Sequence, residues 1–377
     1  MPLYLNALSI VVLARVLDPE TFCCPKALSR VDDASTEKPL AASYVLPIAA
    51  RKSQARALTG YLRRLSRMID DVIVVDGSPK EVFGAHARMW SSHVRHLRPG
   101  KQATNGKVAG VMTGIEAARH DSVIIADDDV RYRRAELVRM IALLQESEVV
   151  RPQNYFRPLP WHARWDTARS LLNRLGGGDW PGTLGVRRAV LLEAGGYSGE
   201  VLFENLELVR TVRTAEGREA VPLDLFVVRR PPGAAHFLSQ RVRQAYDEWA
   251  RPMRLVLQLG LLPAGVVLSR RSPGWLLAMA VGGAAAAEIG RRKGRGSTVF
   301  PPSSALWAPA WLAERAVTSW MALGLRFAFG GVRYRTVRIK HAATPQHVLE
   351  KIVSEHAASP PASHSLPISC PEELTLR

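Results

Sequence analysis

The chain has 377 residues, of which 47% are hydrophobic and 23% are charged. This composition provides apolar surface for a large core and excludes a chain that is disordered throughout. The formal net charge of +17 favours anionic partners such as phosphorylated ligands, lipid head groups or nucleic acid. The three cysteines, Cys23, Cys24 and Cys370, follow neither a metal-binding nor a disulfide spacing, so we expect a reducing compartment.

Residues 1–41 are expected to form a weakly ordered leader. Their apolar stretch from Leu3 to Leu17 is interrupted by three polar or charged residues. It lacks a basic leading segment and a small-residue cleavage site, so it does not fit a secretory signal.

A regular alternation of apolar strands and amphipathic helices follows the leader. Such an alternation indicates an α/β fold with a doubly wound, mostly parallel sheet. The predicted elements are strands at Ser43–Ile48, Asp71–Val75, Val94–Leu97 and Ser122–Ala126, and helices at Gln54–Met68, Lys107–Ala118 and Ala135–Glu146.

Carboxylates directly follow two of these strands. Asp76 ends one strand, and the triplet Asp127-Asp128-Asp129 ends another. Ligands of open α/β sheets bind at the carboxyl ends of the strands. Oxygen ligands there suit Mg²⁺ or Mn²⁺, which would bridge to the phosphates of a ligand. Each position read singly also fits a solvated turn, but two acidic strand ends in consecutive units favour a binding site.

Four motifs occur in a characteristic order: Pro47 after the first strand, Val-Ile-Val-Val-Asp-Gly-Ser at 72–78, Asn105-Gly106-Lys107, and Ile-Ile-Ala-Asp-Asp-Asp at 124–129. The ordered set resembles family 2 glycosyltransferases of the GT-A fold, in the branch that includes ceramide-glucosyltransferase-like and hopanoid-type enzymes. The resemblance covers residues 43–250, so we place a GT-A domain at 42–250.

The resemblance implies a site for a nucleoside diphosphate sugar and a divalent metal. Asp76 would hold the nucleotide base or ribose, and Lys107 would lie near the diphosphate. Asp127 and Asp129 would be the metal ligands, with Asp128 between them as part of the donor site. The loop at 180–185, Trp-Pro-Gly-Thr-Leu-Gly, resembles the loop that lines the donor sugar.

The general base is the least certain assignment that the resemblance offers. The family usually reads Glu-Asp where this chain has Glu204-Asn205, and the Asp is the base. Asn205 cannot accept a proton, so Glu204 is the first candidate and Glu207 the second. A helix N-terminus with favourable acidic charge is the alternative interpretation.

A basic segment further on resembles the family's Gln-x-x-Arg-Trp motif. Gln240 and Arg243 match it, whereas Gln244 occupies the Trp position. The resemblance implies that these residues contact the donor diphosphate. The alternative is a basic amphipathic helix that lies on lipid.

Residues 251–345 are predicted to form a membrane-associated helical region. Met253–Ser269 and Gly274–Gly290 are apolar and close to the minimum length of about 17 residues for a membrane span. Trp307–Phe329 carries three charged residues and fits an interfacial helix better. A two-helix hairpin, in-plane helices and helices of a soluble domain all remain open. Residues 346–377 are predicted to be a disordered tail.

These patterns together predict transfer of a hexose from a nucleoside diphosphate sugar, with a UDP-sugar as the first choice, to a hydroxyl of a lipid or lipid-linked acceptor. The family implies inversion. The basic cluster Arg291–Arg295 favours the cytoplasmic side of the cell membrane. No nucleic-acid partner is expected. The alternatives are a nucleotidyltransferase, disfavoured because residues 49–52 contain no glycine, and a non-catalytic membrane- or nucleic-acid-binding protein.

Overall fold

The computed structural model describes residues 38–53, 55–100, 103–334 and 337–358. Most of the predicted leader, the end of the predicted tail and the three cysteines lie outside the described residues.

A mostly parallel sheet forms the centre of the described chain, with the strand order β3-β2-β1-β4-β8-β6-β9. In this sheet β8 runs antiparallel to its neighbours β4 and β6, and the other pairs are parallel. A smaller sheet has the order β5-β10-β7, and β11 pairs with β12. The strands are β1 (Leu40–Ile48), β2 (Ile69–Asp76), β3 (Arg95–Leu97), β4 (Ser122–Ala126), β5 (Val130–Arg131), β6 (Val149–Val150), β7 (Gln153–Phe156), β8 (Thr183–Arg187), β9 (Glu219–Ala220), β10 (Phe226–Arg229), β11 (Val332–Tyr334) and β12 (Val337–Ile339).

Helices cover both faces of the large sheet because successive strand residues point to opposite sides. Leu46 packs in one core cluster with Leu62, and Val45 packs in the opposite cluster with Val111. The helices are α1 (Ala55–Met68), α2 (Lys80–Trp90), α3 (Gly106–Ala117), α4 (Arg134–Leu143), α5 (Trp161–Leu175), α6 (Arg188–Glu193), α7 (Glu204–Thr214), α8 (Ala234–Ser239), α9 (Arg241–Tyr246), α10 (Pro252–Arg271), α11 (Pro273–Arg292), α12 (Ala308–Phe329) and α13 (Gln346–Ala358). The predicted fold class, a doubly wound α/β sheet of the GT-A type followed by helices, is confirmed.

The C-terminal helices pack against the α/β domain and against each other. Helix α12 buries Trp311 in a cluster with Leu171 of α5, and it buries Ala322 beside Tyr246 of α9. Among the described residues, α10 is the helix that is long and apolar enough to cross a membrane, with a mean hydropathy of 1.5. The apolar runs predicted at 253–269 and 274–290 therefore each form a single helix, and both helices start from this packed base.

The structure differs from the sequence prediction at the start of the tail. Residues 346–358 form α13, although the segment from 346 onward was predicted to be disordered. Leu349 and Val353 of α13 are buried against Ala194. These two leucine and valine side chains are four residues apart, so they share one helix face and can dock it.

The contact between α3 and β1 requires a glycine at position 114. A side chain at Gly114 would overlap Val45 in the core. We expect Gly114→Ala to lower the free energy of unfolding by about 1–3 kcal/mol, the usual cost of overpacking. Urea unfolding measures this change. Gly60→Ala on α1 is the control, because its Cβ would meet open space. Equal unfolding midpoints for the two variants would contradict the close packing.

Candidate active site

The acidic triplet forms the turn after β4, at the carboxyl end of the parallel strands. The backbone N–H of Asp127 donates to the carbonyl of Gly182, 2.8 Å away. A Cβ at Gly182 would lie only 2.6 Å from Asp127 Oδ2, so the absence of a side chain lets this loop approach. The carbonyl of Asp128 accepts a hydrogen bond from Arg131 at 2.6 Å. The triplet is thus in direct contact with the loop predicted to line the donor sugar.

Arg229 binds both outer aspartates of the triplet. Its Nε lies 2.8 Å from Asp129 Oδ2, and its Nη2 lies 3.2 Å from Asp127 Oδ2. The contact exists because β10 pairs with β5 in a register that sets Arg229 opposite Val130. The sequence analysis missed Arg229, since only the pairing of two distant strands brings it to the site.

Lys107 joins Asp127 to Glu204. The Lys107 ammonium lies 2.7 Å from Asp127 Oδ1 and 2.9 Å from Glu204 Oε1. Asn105 caps α3 by accepting a hydrogen bond from the backbone N–H of Lys107, and its amide donates to the carbonyl of Val201. The same asparagine therefore fixes the start of α3 beside the segment that leads into α7.

Opposite charges dominate the protonation of this group. Burial acts to lower the pKa of Lys107, but Asp127 and Glu204 outweigh it and raise the pKa well above its usual value. Burial likewise acts to raise the pKa of Asp127, but Lys107 and Arg229 hold it below its usual range. Lys107 and Asp127 are both charged at neutral pH as a consequence.

The residues at the triplet fit a divalent metal. Asp127 and Asp129 converge on one guanidinium, so oxygens of both carboxylates can reach one cation. Burial raises the pKa of Asp129, and the neighbouring Asp127 adds to the rise, although Arg229 opposes it. Further positive charge would therefore be favourable there. Carboxylate oxygens are the ligands that Mg²⁺ and Mn²⁺ prefer.

The helix that carries Glu204 separates the two predicted bases. Glu204 is the first residue of α7 and contacts Lys107. Glu207 is fully buried, and its Oε2 accepts a hydrogen bond from the backbone of Thr344. Asn205 donates from its side-chain amide to the carbonyl of Pro181 at 2.8 Å. The structure thus brings Glu204 to Lys107 and turns Glu207 toward the C-terminal segment.

Gln240 and Arg243 line a neighbouring cavity of about 350 Å³, together with His236 and Tyr334. Arg243 Nη1 donates to Gln240 Oε1 at 3.2 Å, and its guanidinium lies 4.5 Å from the centre of the Tyr334 ring. The charge of Arg243 also helps to lower the pKa of Asp127. The predicted diphosphate contacts are therefore close enough to influence the triplet electrostatically.

Asp76 lies beneath the surface of the sheet end. Its Oδ2 accepts hydrogen bonds from His86 Nδ1 at 2.6 Å and His96 Nε2 at 3.1 Å, and its Oδ1 accepts from the backbone of Ser78. Burial alone would raise the pKa of Asp76, but the hydrogen bonds from His96, Ser78 and His86 lower it well below the usual range. The three ligand-type atoms lie within 4.8 Å of one another, at separations that fit this hydrogen-bonded arrangement.

Comparison with known proteins agrees with this site. Residues 50–187 match the family model described as glycosyl transferase family 2. The matched region includes Asp76, Lys107 and the acidic triplet, and it ends before Glu204. No curated protein matches the sequence. The family match supports a glycosyltransferase.

Several solved structures are similar in outline. A mannosyltransferase from Pyrobaculum calidifontis in complex with GDP-Man and Mn²⁺ is 17% identical, with a TM-score of 0.45, over 78% of this chain and 91% of its own. Glucosyl-3-phosphoglycerate synthase from Mycobacterium tuberculosis, in complex with Mn²⁺ and UDP-Glc, is 17% identical with a TM-score of 0.36. That match covers 52% of this chain and 73% of the synthase.

Removing the Lys107 ammonium should destabilise the fold in a pH-dependent way. Lys107→Met leaves Asp127 and Glu204 with less positive charge, and we expect a loss of about 2–3 kcal/mol at pH 7, below the range for fully buried pairs. Because Lys107 lowers the pKa of Asp127, the stability it contributes is present above the unfolded pKa of about 3.9 and is lost as the pH falls. Urea unfolding between pH 7 and pH 3 measures the difference, which should shrink toward pH 3.

Lys351→Met is the control for this measurement. Lys351 pairs with Glu355 on an exposed helix face at 3.8 Å. Exposed pairs contribute about 0–1 kcal/mol, so this variant should unfold like the native chain. A Lys107→Met effect that is equally large at pH 3 would contradict the electrostatic origin.

Proposed function

We propose that the chain is a membrane-associated, metal-dependent glycosyltransferase that moves a hexose from a nucleoside diphosphate sugar, of the UDP-sugar class, to a hydroxyl of a lipid or lipid-linked acceptor. The observation that carries this proposal is the convergence of Asp127, Asp129, Lys107 and Arg229 at the carboxyl end of β4. The lipid acceptor fits the ceramide-glucosyltransferase-like and hopanoid-type branch that the motifs resemble. The site would face the cytoplasm at the cell membrane, and the reaction would invert the anomeric centre.

The charges at the triplet suit a leaving diphosphate. Lys107, Arg229 and Arg243 supply fixed positive charge around Asp127, and pre-oriented cations of this kind stabilise charge that develops in a transition state. A divalent metal held by Asp127 and Asp129 would neutralise the departing diphosphate. Asp128 and Gln240 complete the donor site in this proposal.

Asp76 would serve the nucleotide at one remove. Both of its oxygens already accept hydrogen bonds, and one of these bonds fixes the backbone of Ser78. The Ser78 hydroxyl in turn accepts from the backbone of Ala50, which follows β1. The carboxylate therefore orders the two loops at which a nucleotide base or ribose would bind in this fold class.

Between the two motif-derived bases, Glu204 is the better candidate. Only Glu204 of the pair contacts Lys107, which in turn contacts Asp127. Glu207 is fully buried and is held by Thr344 and Arg210. We therefore propose that Glu204 is the carboxylate of this motif that takes part in the reaction centre.

Exposed apolar side chains on α10 and α11 support attachment to a membrane. Leu257 is 70% exposed and Trp275 is 60% exposed. Soluble monomers rarely expose continuous apolar patches of this kind, which mark protein or membrane interaction sites. The exposed members on these two helices include Met253, Val256, Leu257, Leu262, Val266, Val267, Trp275, Leu277, Met279, Val281 and Ile289. A hairpin of α10 and α11 with its base on the domain fits this distribution, and α12 would stay with the domain.

Turnover of sugar nucleotides tests the catalytic part of the proposal. The native chain should release nucleoside diphosphate from UDP-glucose or another member of a sugar-nucleotide panel when Mn²⁺ or Mg²⁺ is present, and EDTA should abolish release. Asp129→Ala should lower turnover by about 10²–10³-fold, because a charge that faces the leaving group is lost. Glu204→Gln should lower it at least about tenfold, as expected for loss of a group in proton transfer or its positioning.

Asp224→Asn is the matched control, since Asp224 pairs with Arg139 on the surface at 2.6 Å. It should keep native turnover. Native rates in both Asp129→Ala and Glu204→Gln would overturn the site assignment, and no release from any donor would overturn the function.

Vesicle binding tests the membrane part. Vesicles of phosphatidylcholine and phosphatidylglycerol should carry the native chain through flotation. Replacing Leu257 and Val267 together with Glu should reduce the bound fraction at least about tenfold, since each charge disfavours burial in lipid by a few kcal/mol. Val138→Glu is the control, because Val138 is an exposed apolar residue on α4, at 46% exposure. Equal flotation of all three proteins would argue against α10 as the attachment element.

A further inference from the structure

The replacement of the family's Asp by Asn205 leaves a chemical requirement open. An acceptor hydroxyl that attacks an anomeric carbon must lose its proton, and a positioned carboxylate ordinarily takes it. Glu204 is one carboxylate at the site, but its Oε1 is bound to the Lys107 ammonium at 2.9 Å. A carboxylate that is held by a cation binds a proton less readily. A second carboxylate with an oxygen free of hydrogen bonds would meet the requirement better.

Asp247 is such a carboxylate. It follows α9 and opens the short 3₁₀ helix Asp247–Ala250. Its Oδ1 is buried and has no hydrogen-bond partner among the described residues. Buried polar atoms in native folds are almost always hydrogen-bonded, and exceptions often serve binding or catalysis. The sequence analysis did not select Asp247, because it belongs to none of the recognised motifs.

Contacts on both sides connect Asp247 to the candidate active site. Arg243 lies one helical turn earlier, and its charge reaches both Asp247 and Asp127. On the other side the guanidinium of Arg251 lies 5.4 Å from the ring of Phe203, the residue before Glu204. The Phe203 ring in turn lies 5.2 Å from the ring of Trp180, in the loop predicted to line the donor sugar.

The charges around Asp247 favour proton uptake near neutral pH. Burial, as the largest influence, raises the pKa of Asp247 to about 7. Arg243 and Arg251 act to lower this pKa, whereas Glu204 and Glu248 act to raise it. Two nearby carboxylates with different surroundings commonly divide into one that stays ionised and one that exchanges the proton. Lys107 keeps Glu204 in the first role.

We propose that Asp247 is the general base of the transfer reaction and that Glu204, held by Lys107, sustains its proton affinity. This inference rests on the proposed function. In the step, the acceptor O–H bond breaks and its proton moves to an Asp247 oxygen. The acceptor oxygen forms the bond to the anomeric carbon while the bond from that carbon to the diphosphate oxygen breaks. The departing nucleoside diphosphate takes the electron pair, and Asp247 later releases the proton to water.

The test compares Asp247→Asn with Asp121→Asn. Asp121 is a partly exposed aspartate that pairs with Arg187 at 2.8 Å, outside the candidate active site. Turnover of UDP-glucose and GDP-mannose with Mn²⁺ is measured with water as the acceptor, and UDP affinity is measured separately by calorimetry. Asp247→Asn should bind UDP like the native chain and lose about 10²–10³-fold in kcat, the usual contribution of a general base. Asp121→Asn should match the native chain in both measurements.

The pH profile provides a second measurement that does not depend on the folding of Asp247→Asn. Native kcat should rise through about pH 7 as Asp247 loses its proton. Glu204→Gln removes a nearby negative charge, so its residual activity should rise at a lower pH. A native profile that is flat between pH 5.5 and 8.5, or a well-folded Asp247→Asn variant with more than one third of native kcat, overturns the inference while the proposed function stands. A native chain that binds and turns over no sugar nucleotide overturns both.

Discussion

The charge pairing at Asp127 is the interaction on which the site depends. Asp127 lies between the Lys107 ammonium and the Arg229 guanidinium, at 2.7 and 3.2 Å. Three adjacent carboxylates at the end of a buried strand would repel one another, and burial would favour their neutral forms. The two cations come from α3 and β10, which are far apart in sequence. Their convergence keeps Asp127 ionised and ties three elements of the fold to one point.

The parts of this arrangement that the sequence predicts have local causes. Alternation of short β-branched runs with amphipathic helices is visible in any window of the chain, and it predicted β1, β2, β4 and the helices between them. Asp127 and Lys107 were also accessible, because strand ends and helix starts follow from the element boundaries. The carboxyl ends of parallel strands share one edge of a sheet, so their proximity could be expected.

The parts that the sequence did not predict depend on pairing between distant segments. Arg229 reaches Asp129 only through the register of β10 against β5. The burial of Asp76 depends on His86 and His96, which come from α2 and β3 and have no motif spacing. Helix α13 is polar in composition, and it forms where Leu349 and Val353 find a surface at Ala194. In each case the deciding contact partner lies outside any local pattern.

Asn205 shows how one substitution can separate structure from chemistry at a site. Its amide donates to the carbonyl of Pro181 and so anchors the loop that carries Gly182 against Asp127. An aspartate at the same position could not donate and would face that carbonyl with a negative charge. The asparagine thus secures the donor loop but gives up a proton acceptor. Transfer to a hydroxyl still requires such an acceptor, and the buried, unsatisfied oxygen of Asp247 lies on the segment that packs against Phe203, next to Glu204.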